Sequence, residues 1–386
     1  MLRLLLPDVH ADLDVRVGEH EAIELSSATQ LEAQQSPHPS RTGAAQVTVT
    51  SSSSSRVAAT PLQLTALAPS RFLWVEASSG GGSVNVEVVQ EGSLTVSTSG
   101  GDISVPKVKA VHAHLASGGG AIRGGVTGVD VRLESGGGPV DLKTLVGKLA
   151  AVSTSCSGGG SGNGGAGGGE SRGGPLTIGA CYAEELELDS GGGDVHVTNM
   201  DCRNAVATLR SGGGAVAVDS LDGNLAIDSG GGAVQVQLAD NAGSISISSG
   251  GGGVSLFLSP GLAGRLVVVG GKVTGTSAIL CQGQQQPDGS THFRLDPAAA
   301  FGSHARLGPH QQSLGELPGA AGWGARPAPQ SRMQRGGPVQ HRPPGNAVTS
   351  ASSGQAGADI VVDSGRDGTV SLEHRDWRDA LRQRWS

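Results

Sequence analysis

Residues 223–236 read Gly-Asn-Leu-Ala-Ile-Asp-Ser-Gly-Gly-Gly-Ala-Val-Gln-Val, and residues 243–256 repeat the phrase as Gly-Ser-Ile-Ser-Ile-Ser-Ser-Gly-Gly-Gly-Gly-Val-Ser-Leu. The Ser-Gly-Gly-Gly mark inside this phrase recurs along the chain, mostly at intervals of 18 to 21 residues. Clear copies of the mark begin at Ser79, Ser117, Ser135, Ser190, Ser211, Ser229 and Ser249, with a variant at Thr98. A fixed period of this length indicates a repeat architecture.

Apolar residues flank each mark with a period of two. Leu225 and Ile227 lie four and two positions before Ser229, and Val234 and Val236 lie five and seven positions after it. Alternation of this kind places the apolar side chains on one face of a β-strand. Each repeat is therefore predicted to be a strand, a glycine corner and a second strand.

A unit of this size cannot bury its apolar face alone, whereas stacked copies share one core. We therefore predict an all-β fold, a single-stranded parallel β-helix (β-solenoid) of about ten rungs of 18–21 residues, spaced about 4.8 Å apart. An antiparallel β-sandwich is the alternative, because strand pairs at this spacing also suit hairpins.

The repeat pattern runs through the middle of the chain without a change of character, which predicts one elongated domain with insertions. The repeats are expected to occupy residues 57–301. Residues 157–174 are a glycine-rich run that interrupts the pattern inside this region. We predict that this run is a loop inserted at one corner, since loop closure cost grows slowly with length.

The N-terminal end is expected to be a cap. Residues 1–25 are predicted to be cap strands, in which an alternating strand over residues 13–17 pairs with residues 23–25. Residues 26–56 are polar and include five consecutive serines, so that this tract is predicted to be disordered.

The C-terminal end is expected to be closed by a helix. Residues 302–357 are rich in Pro, Gly and Gln and are predicted to be a disordered insertion. Residues 358–386 are predicted to hold a last rung and a short capping helix. The spacing of Trp377, Leu381 and Trp385 places them on one helical face, which would cover the open end of a solenoid.

Composition limits the classes of partner. The net charge is −7 and aromatic residues make up 2% of the chain, which argues against a nucleic-acid surface. No apolar segment approaches the length of a transmembrane helix. There is no clear signal or transit peptide, because Pro7 and Asp8 end the leucine-rich start early, and a soluble intracellular protein is favoured unless the recorded start is incomplete.

Two of the four cysteines are placed regularly. Cys181 lies nine residues before Ser190, and Cys202 lies nine residues before Ser211. In stacked copies the two would share one position on neighbouring rungs, at a Cα separation that a disulfide bond tolerates. A disulfide bond and a ladder of two free thiols both remain open.

A column of charges lies one residue before the mark, at Glu134, Asp189, Arg210 and Asp228. Stacked acids and a base could pair across strands on a solvated face, where each pair contributes about 0.2–1 kcal/mol. The alternative is a catalytic ladder, since parallel β-helices host polysaccharide lyases and hydrolases. Such enzymes need a cleft and a defined separation of carboxylates.

No cofactor or metal is predicted. There is no zinc-ligand spacing, phosphate loop, dinucleotide fingerprint or Ser/His/Asp order. Asp102 and Asp194 follow the glycines where calcium-binding β-rolls carry a regular Asp, but Ala121 and Ala233 occupy the same position in other copies.

The phrase Gly-x-Leu-x-Ile-x-Ser-Gly-Gly-Gly-x-Val-x-Val resembles a putative adhesin-like repeat family of unknown function, with bacterial and uncharacterised eukaryotic members. The resemblance covers about residues 71–273 and extends to the segment 358–385. It implies a β-helix-like fold and no established activity, so that it assigns no catalytic residues. The expectation is a non-enzymatic structural or binding surface for a protein or a glycan; the alternative is a carbohydrate-active β-helix enzyme.

Overall fold

The computed structural model describes residues 2–6, 11–18, 24–27, 32–37, 45–50, 62–69, 74–155, 173–275, 283–296 and 357–374. Within these ranges the protein is all-β and contains no helix. The predicted capping helix and, except for Gly357, the predicted disordered tract 302–357 lie outside the described residues.

The strands of the regular repeats follow the glycine marks along the chain. They are β7 (Trp74–Ser79), β8 (Val84–Val86), β9 (Val88–Thr98), β10 (Ile103–Ala116), β11 (Ile122–Thr127), β12 (Asp130–Glu134), β13 (Val140–Ser153), β14 (Leu176–Asp189), β15 (Val195–Arg210), β16 (Val216–Asp228), β17 (Val234–Leu238), β18 (Ser244–Ser248) and β19 (Val254–Leu258). The strands before them are β1 (Leu2–Leu6), β2 (Ala11–Gly18), β3 (Glu24–Ser27), β4 (Glu32–Pro37), β5 (Ala45–Thr50) and β6 (Leu62–Pro69). Those after them are β20 (Gly264–Val269), β21 (Lys272–Gly275), β22 (Gly283–Gln285), β23 (Thr291–Leu295), β24 (Ala358–Asp363) and β25 (Thr369–His374).

Successive repeats pair in parallel and in register. Val216 of β16 lies opposite Val195 of β15 and Val234 of β17, so that equivalent positions of three repeats are neighbours. The register shifts at a few places within the strands, as between β15 and β16 beyond Cys202, where the β15 repeat is the longer one. Parallel pairing between repeats is incompatible with the antiparallel sandwich that the strand spacing left open.

Three buried columns supply one continuous hydrophobic core. The sequence predicts two of these columns. One is formed by the stacked apolar pairs that precede the marks, and the other by the stacked apolar pairs that follow them. The structure adds a third column with one buried residue per repeat. Its members are Val89, Val108, Val126, Leu145, Cys181, Met200, Leu221, Leu238 and Leu258, each paired with the next. A single apolar residue per repeat gives no alternation, which is why the pattern of the sequence does not reveal this column.

The hydroxyl groups of the marks form a buried ladder between the columns. The Ser229 hydroxyl lies 2.6 Å from the carbonyl oxygen of Gly232 in its own corner and 3.3 Å from that of Ser249 in the next repeat, so that its proton is shared between them. Thr98 makes the same two contacts to Gly101 and Ser117. Both hydroxyls thus satisfy the carbonyl of the third glycine in their own corner. They also reach a carbonyl of the next repeat that already accepts a backbone amide, as the Ser249 carbonyl does from Gly231 at 2.7 Å, and so tie two repeats together.

The glycines of one corner are required for different reasons. In the corner that begins at Ser249, Gly250 and Gly251 have φ angles of 60° and 106°, which residues with a Cβ rarely adopt. A Cβ on Gly252 would lie 2.2 Å from the carbonyl oxygen of Gly232 in the preceding repeat. Gly252 is therefore selected by the close approach of two backbones, whereas Gly253 has no atom nearer than 3.9 Å to such a Cβ.

The glycine-rich run 157–174 departs from one of these corners. Thr154 is buried at the position of the mark serine, and its hydroxyl lies 2.6 Å from the carbonyl oxygen of Gly174 and 3.0 Å from that of Ser190. Gly174 stands where the third glycine of an uninterrupted corner stands, since its Cβ would meet the carbonyl oxygen of Gly138 at 2.2 Å. Both sides of the insertion keep the corner geometry, while residues 156–172 lie outside the described residues.

The first strands of the chain are interior strands. β1 pairs in parallel with β5 on one side and β7 on the other, and β2 lies likewise between β6 and β8. The prediction that residues 13–17 pair with residues 23–25 is wrong, because β3 pairs with β6 instead. The predicted disordered tract 26–56 contains β4 and β5. The alternating Gln-Val-Thr-Val-Thr of residues 46–50 is a strand signal within that tract.

Antiparallel strands cover the outer repeats at both ends. β3 lies against β6 and β4 against β5 at one end, and β23 lies against β20 at the other. Such strands occupy hydrogen-bonding edges that would otherwise invite pairing with another chain. At the C-terminal end the described cover is the strand β23, and the capping helix stays a prediction.

The corner that begins at Ser249 offers a matched test of backbone approach. We expect Gly252→Ala to lower the free energy of unfolding by about 3 kcal/mol, because the new methyl group overlaps a carbonyl oxygen held by the preceding repeat. Gly253→Ala should change it by less than about 0.5 kcal/mol. Urea titration of the two variants measures both values, and equal losses would contradict the assigned roles.

The hydroxyl ladder is tested at Ser229. Ser229→Ala should lower the free energy of unfolding by about 1–3 kcal/mol, since the buried Gly232 carbonyl oxygen loses the hydroxyl that donates to it and the contact with the next repeat is lost as well. Ser229→Thr keeps the hydroxyl and should retain most of the stability, because Thr98 and Thr154 already occupy this position in other repeats. Thermal unfolding of both variants separates loss of the hydroxyl from a change of volume.

Candidate binding groove

The outer face of four neighbouring strands forms an open groove of about 750 Å³. The strands are β12, β13, β14 and β15, and the face is the one whose inner side carries the apolar pairs before the mark. The outward residues that line the groove are Asp130, Arg132, Glu134, Leu149, Ala151, Ser153, Glu185, Glu187, Asp189, Val206, Thr208 and Arg210.

The groove exists because side chains of different length lie side by side in one column. Arg132, Ala151, Glu187 and Thr208 occupy equivalent positions on the four strands. Ala151 has only a methyl group, whereas Arg132 and Glu187 on either side are long. The short side chain forms a floor and the long ones form two walls.

The walls are held by exposed ion pairs. Arg132 Nε lies 2.6 Å from Glu134 Oε1 on its own strand, and Arg210 Nη1 lies 3.0 Å from Glu187 Oε1 on the preceding strand. All four side chains are at least 42% exposed, so each pair stabilises the fold by no more than about 1 kcal/mol. These charges remain accessible to a ligand.

The groove also has an apolar border. Leu149 and Val206 line it with 42% and 58% of their surface exposed. Val129 and Val111 continue the border, since the Leu149 amide donates to the Val129 carbonyl and the Val129 amide donates to the Val111 carbonyl. Both valines are exposed as well. The surface therefore combines ionic walls with an exposed apolar edge, as protein-binding sites do.

Three of the four residues of the predicted charge column line this groove, namely Glu134, Asp189 and Arg210, and Asp228 lies beyond it. The register stacks Asp189, Arg210 and Asp228 on consecutive strands, as expected, and places Ser153 between Glu134 and Asp189. The ion pair of Arg210 is made with Glu187, which belongs to another column.

The two aspartates of the column serve the corners. Asp189 Oδ1 accepts a hydrogen bond from the Gly191 amide at 2.9 Å, and Asp228 Oδ1 accepts one from the Gly230 amide at 3.2 Å. Side chains of Asp commonly bond the backbone two residues on in this way. The position before the mark is thus selected at these two repeats by turn geometry.

Sequence reasoning singles out neither Ala151 nor Arg132 and Glu187 as site residues. They lie three positions before the mark hydroxyl, in a column that alternates between charged and small residues. A comparison of side-chain length as well as charge along that column would have indicated the groove.

The two regular cysteines are buried free thiols. Cys181 lies opposite Met200, and Cys202 lies opposite Gly223 of the following repeat. The prediction that the two cysteines share one position is wrong. From the pair Cys181 and Met200 to the pair Leu186 and Ala207, β15 has two more residues than β14, so counting back from the mark gives the wrong register. Cys181 belongs to the third buried column, and Cys202 lies two positions further along.

Burial makes both thiols poor nucleophiles. It raises the pKa of Cys202 to about 11, with a further contribution from the Asp201 carboxylate. Burial also raises the pKa of the Cys181 thiol well above its usual range, and the nearby Cys202 adds to the increase. Reactivity of a cysteine follows its thiolate form, which these surroundings disfavour.

The aspartates considered for calcium make hydrogen bonds to the next repeat. Asp102 Oδ1 accepts from the Ala121 amide and Asp194 Oδ1 accepts from the Ala215 amide, both at 2.8 Å. Among the described residues, no three His, Cys, Asp or Glu side chains lie close enough together to hold a metal ion. The described part of the chain also has no helix with the length and apolarity needed to cross a membrane.

Comparison with known proteins adds no identification. No protein-family model matches the chain, and neither the curated proteins nor the solved structures contain a significant match. The resemblance to the adhesin-like repeat family therefore rests on the repeat phrase alone.

The Cys202 thiol gives a test of burial beside the third column. In a chain carrying Cys156→Ser and Cys281→Ser, we expect a thiol reagent at pH 8 to label Cys202 about 100-fold more slowly in the folded than in the unfolded protein. The reason is that a pKa near 11 in place of 9.0 lowers the thiolate fraction by that factor. Stopped-flow labelling with and without urea measures the ratio. Equal rates would mean that Cys202 is not buried.

Proposed function

We propose that this protein is a single-stranded parallel β-helix of the adhesin-like repeat type and that it acts as a non-enzymatic binding surface. Support for the parallel β-helix comes from the parallel pairing of each repeat with the next, from three buried columns that share one core, and from the hydroxyl ladder at the corners. In such a fold the outward residues are free to vary while the inward ones are fixed by stacking.

The observation that carries the binding function is the groove across β12 to β15. It brings together residues from four successive repeats. Its ion pairs are exposed and contribute little to stability, so that the fold alone gives little reason for them.

The ligand that fits this groove best is an extended segment of another protein that carries Lys or Arg beside apolar residues. The lining includes five carboxylates and two arginines, and both arginines already pair with carboxylates of the groove. Leu149 and Val206 offer apolar contacts at the border. No aromatic ring is among the described lining residues, whereas sugar sites commonly stack the ligand on such rings.

The alternative is a carbohydrate-active β-helix enzyme. Carboxylates do line the groove, which is the feature that favours this second function. Glu134 and Glu187 form ion pairs with arginines, and Asp189 accepts a hydrogen bond from a corner amide. These contacts account for the three carboxylates without a substrate.

The binding function is tested by filling the groove floor. A displayed library of random peptides selected on the full-length protein is expected to enrich peptides rich in Lys and Arg, with affinity that falls as salt is raised. Ala151→Arg should weaken their binding at least tenfold, because the new side chain occupies the floor. Ala226→Arg introduces the same residue in the same column outside the groove and should leave binding unchanged.

Two results would overturn this proposal. Peptides that bind Ala151→Arg as tightly as the unaltered protein would mean that the groove is not the site. Release of reducing ends from a polysaccharide panel, abolished by Asp189→Ala or Asp228→Ala, would instead identify an enzyme.

A further inference from the structure

The last repeat of the chain lies inside the stack. β24 pairs in parallel with β18 on one side and β20 on the other, and β25 lies in the same way between β19 and β21. Repeats that follow one another in sequence are thus separated in space by a strand pair from the C-terminal end. We refer to the position occupied by β24 and β25 as the C-terminal slot.

The C-terminal slot is lined by core on both sides. Ile360, Val362, Val370 and Leu372 of the inserted pair are fully buried. Ile360 lies between Ile245 of β18 and Leu266 of β20 in one continuous row. In the described part of the chain, β20 and β21 form no ladder with β18 or β19, so the outer repeat depends on the inserted pair for its attachment.

The corner bonds continue through the inserted pair. The Ser249 amide donates to the Asp363 carbonyl at 3.0 Å, and the Ser364 amide donates to the Val269 carbonyl at 3.3 Å. Another strand pair could form backbone bonds of this kind, but it would not fill the buried rows with the same side chains. The segment that fits the slot best is therefore this chain's own C-terminal pair.

The connection that leads into the slot is far longer than the gap it closes. Leu295 of β23 and Ala358 of β24 pair with the same residue, Gly264, from opposite sides. Two strand spacings separate them, which is about 10 Å. The 62 residues from 296 to 357 could span about 200 Å when extended.

From these observations we propose that the C-terminal slot accepts β24 and β25 of a second copy of this chain, so that two chains exchange their last repeats. The swapped and unswapped forms make the same contacts at the slot, and the balance between them is set by protein concentration and by the connection. A long connection lowers the effective concentration of the chain's own strand pair at the slot. The advantage of that pair over a pair from another chain is therefore smaller.

Crosslinking between two differently labelled chains tests the exchange. Ser246 and Val361 lie directly opposite each other on β18 and β24, and both are exposed. One full-length chain carries Ser246→Cys and another carries Val361→Cys, both with Cys156→Ser and Cys281→Ser. The two are unfolded together, refolded at increasing concentration and oxidised with copper phenanthroline. Neighbouring parallel strands are close enough for a disulfide bond.

We expect a disulfide-linked heterodimer whose yield rises with concentration. A mixture of Ser246→Cys with Val267→Cys is the matched control, because β24 separates these two positions in either form. Deleting residues 302–357 leaves six connecting residues and should lower the heterodimer yield about thirtyfold at subsaturating concentration, by the −3/2 power dependence on length. Light scattering of the unaltered refolded chain should show dimers under the same conditions.

Three outcomes overturn the exchange. One is the absence of a heterodimer at any concentration, when a single chain given both Ser246→Cys and Val361→Cys forms the disulfide bond within itself. Another is a heterodimer yield in the Ser246 and Val267 mixture equal to that in the Ser246 and Val361 mixture. The third is a yield that the deletion leaves unchanged.

Discussion

The close approach of glycine to glycine at the corners is the constraint on which this structure depends. A Cβ on Gly232 would lie 1.9 Å from the carbonyl oxygen of Gly214, and a Cβ on Gly252 would lie 2.2 Å from that of Gly232. Backbones that approach so closely hold successive repeats at strand spacing around the whole turn. The parallel register, the buried columns and the hydroxyl ladder all follow from that spacing.

The hydroxyl of each mark makes the close approach possible without leaving buried polar groups unpaired. At a corner the backbone turns away from the strand ladder, and a carbonyl such as that of Gly232 points inward. The Ser229 hydroxyl meets it and also reaches the next repeat. Glycine and serine therefore have complementary roles at a corner. Glycine permits the close backbone approach, and serine donates a hydrogen bond to the carbonyl that turns inward. The same hydrogen bond joins Thr154 to Gly174, although an insertion separates these two residues along the chain.

The two ends of the stack share an arrangement that the order of the sequence does not reveal. At each end the first or last described strands lie between two repeats that would otherwise be neighbours, and an antiparallel strand covers the outer one. All repeats carry the same alternation, so any one of them could in principle pair with any other. The order at the ends is decided by which repeats reach each other through the connections, and by the edges that need a cover.

The sequence by itself determined the strand, corner and strand of each repeat, because alternation of apolar residues and the demand for glycine at a corner are local properties. It also determined which residues stack beside the marks, and it placed Glu134, Asp189 and Arg210 in one column, whereas it misplaced Cys202 relative to Cys181. Only the tertiary structure decided the third buried column, the insertion of the terminal strands and the groove floored by Ala151. Each of these depends on the neighbour that a residue receives from a distant part of the chain. A short side chain forms the floor of a groove only when longer side chains lie on both sides of it. One apolar residue per repeat forms a buried column only when it stacks with the equivalent residues of eight other repeats.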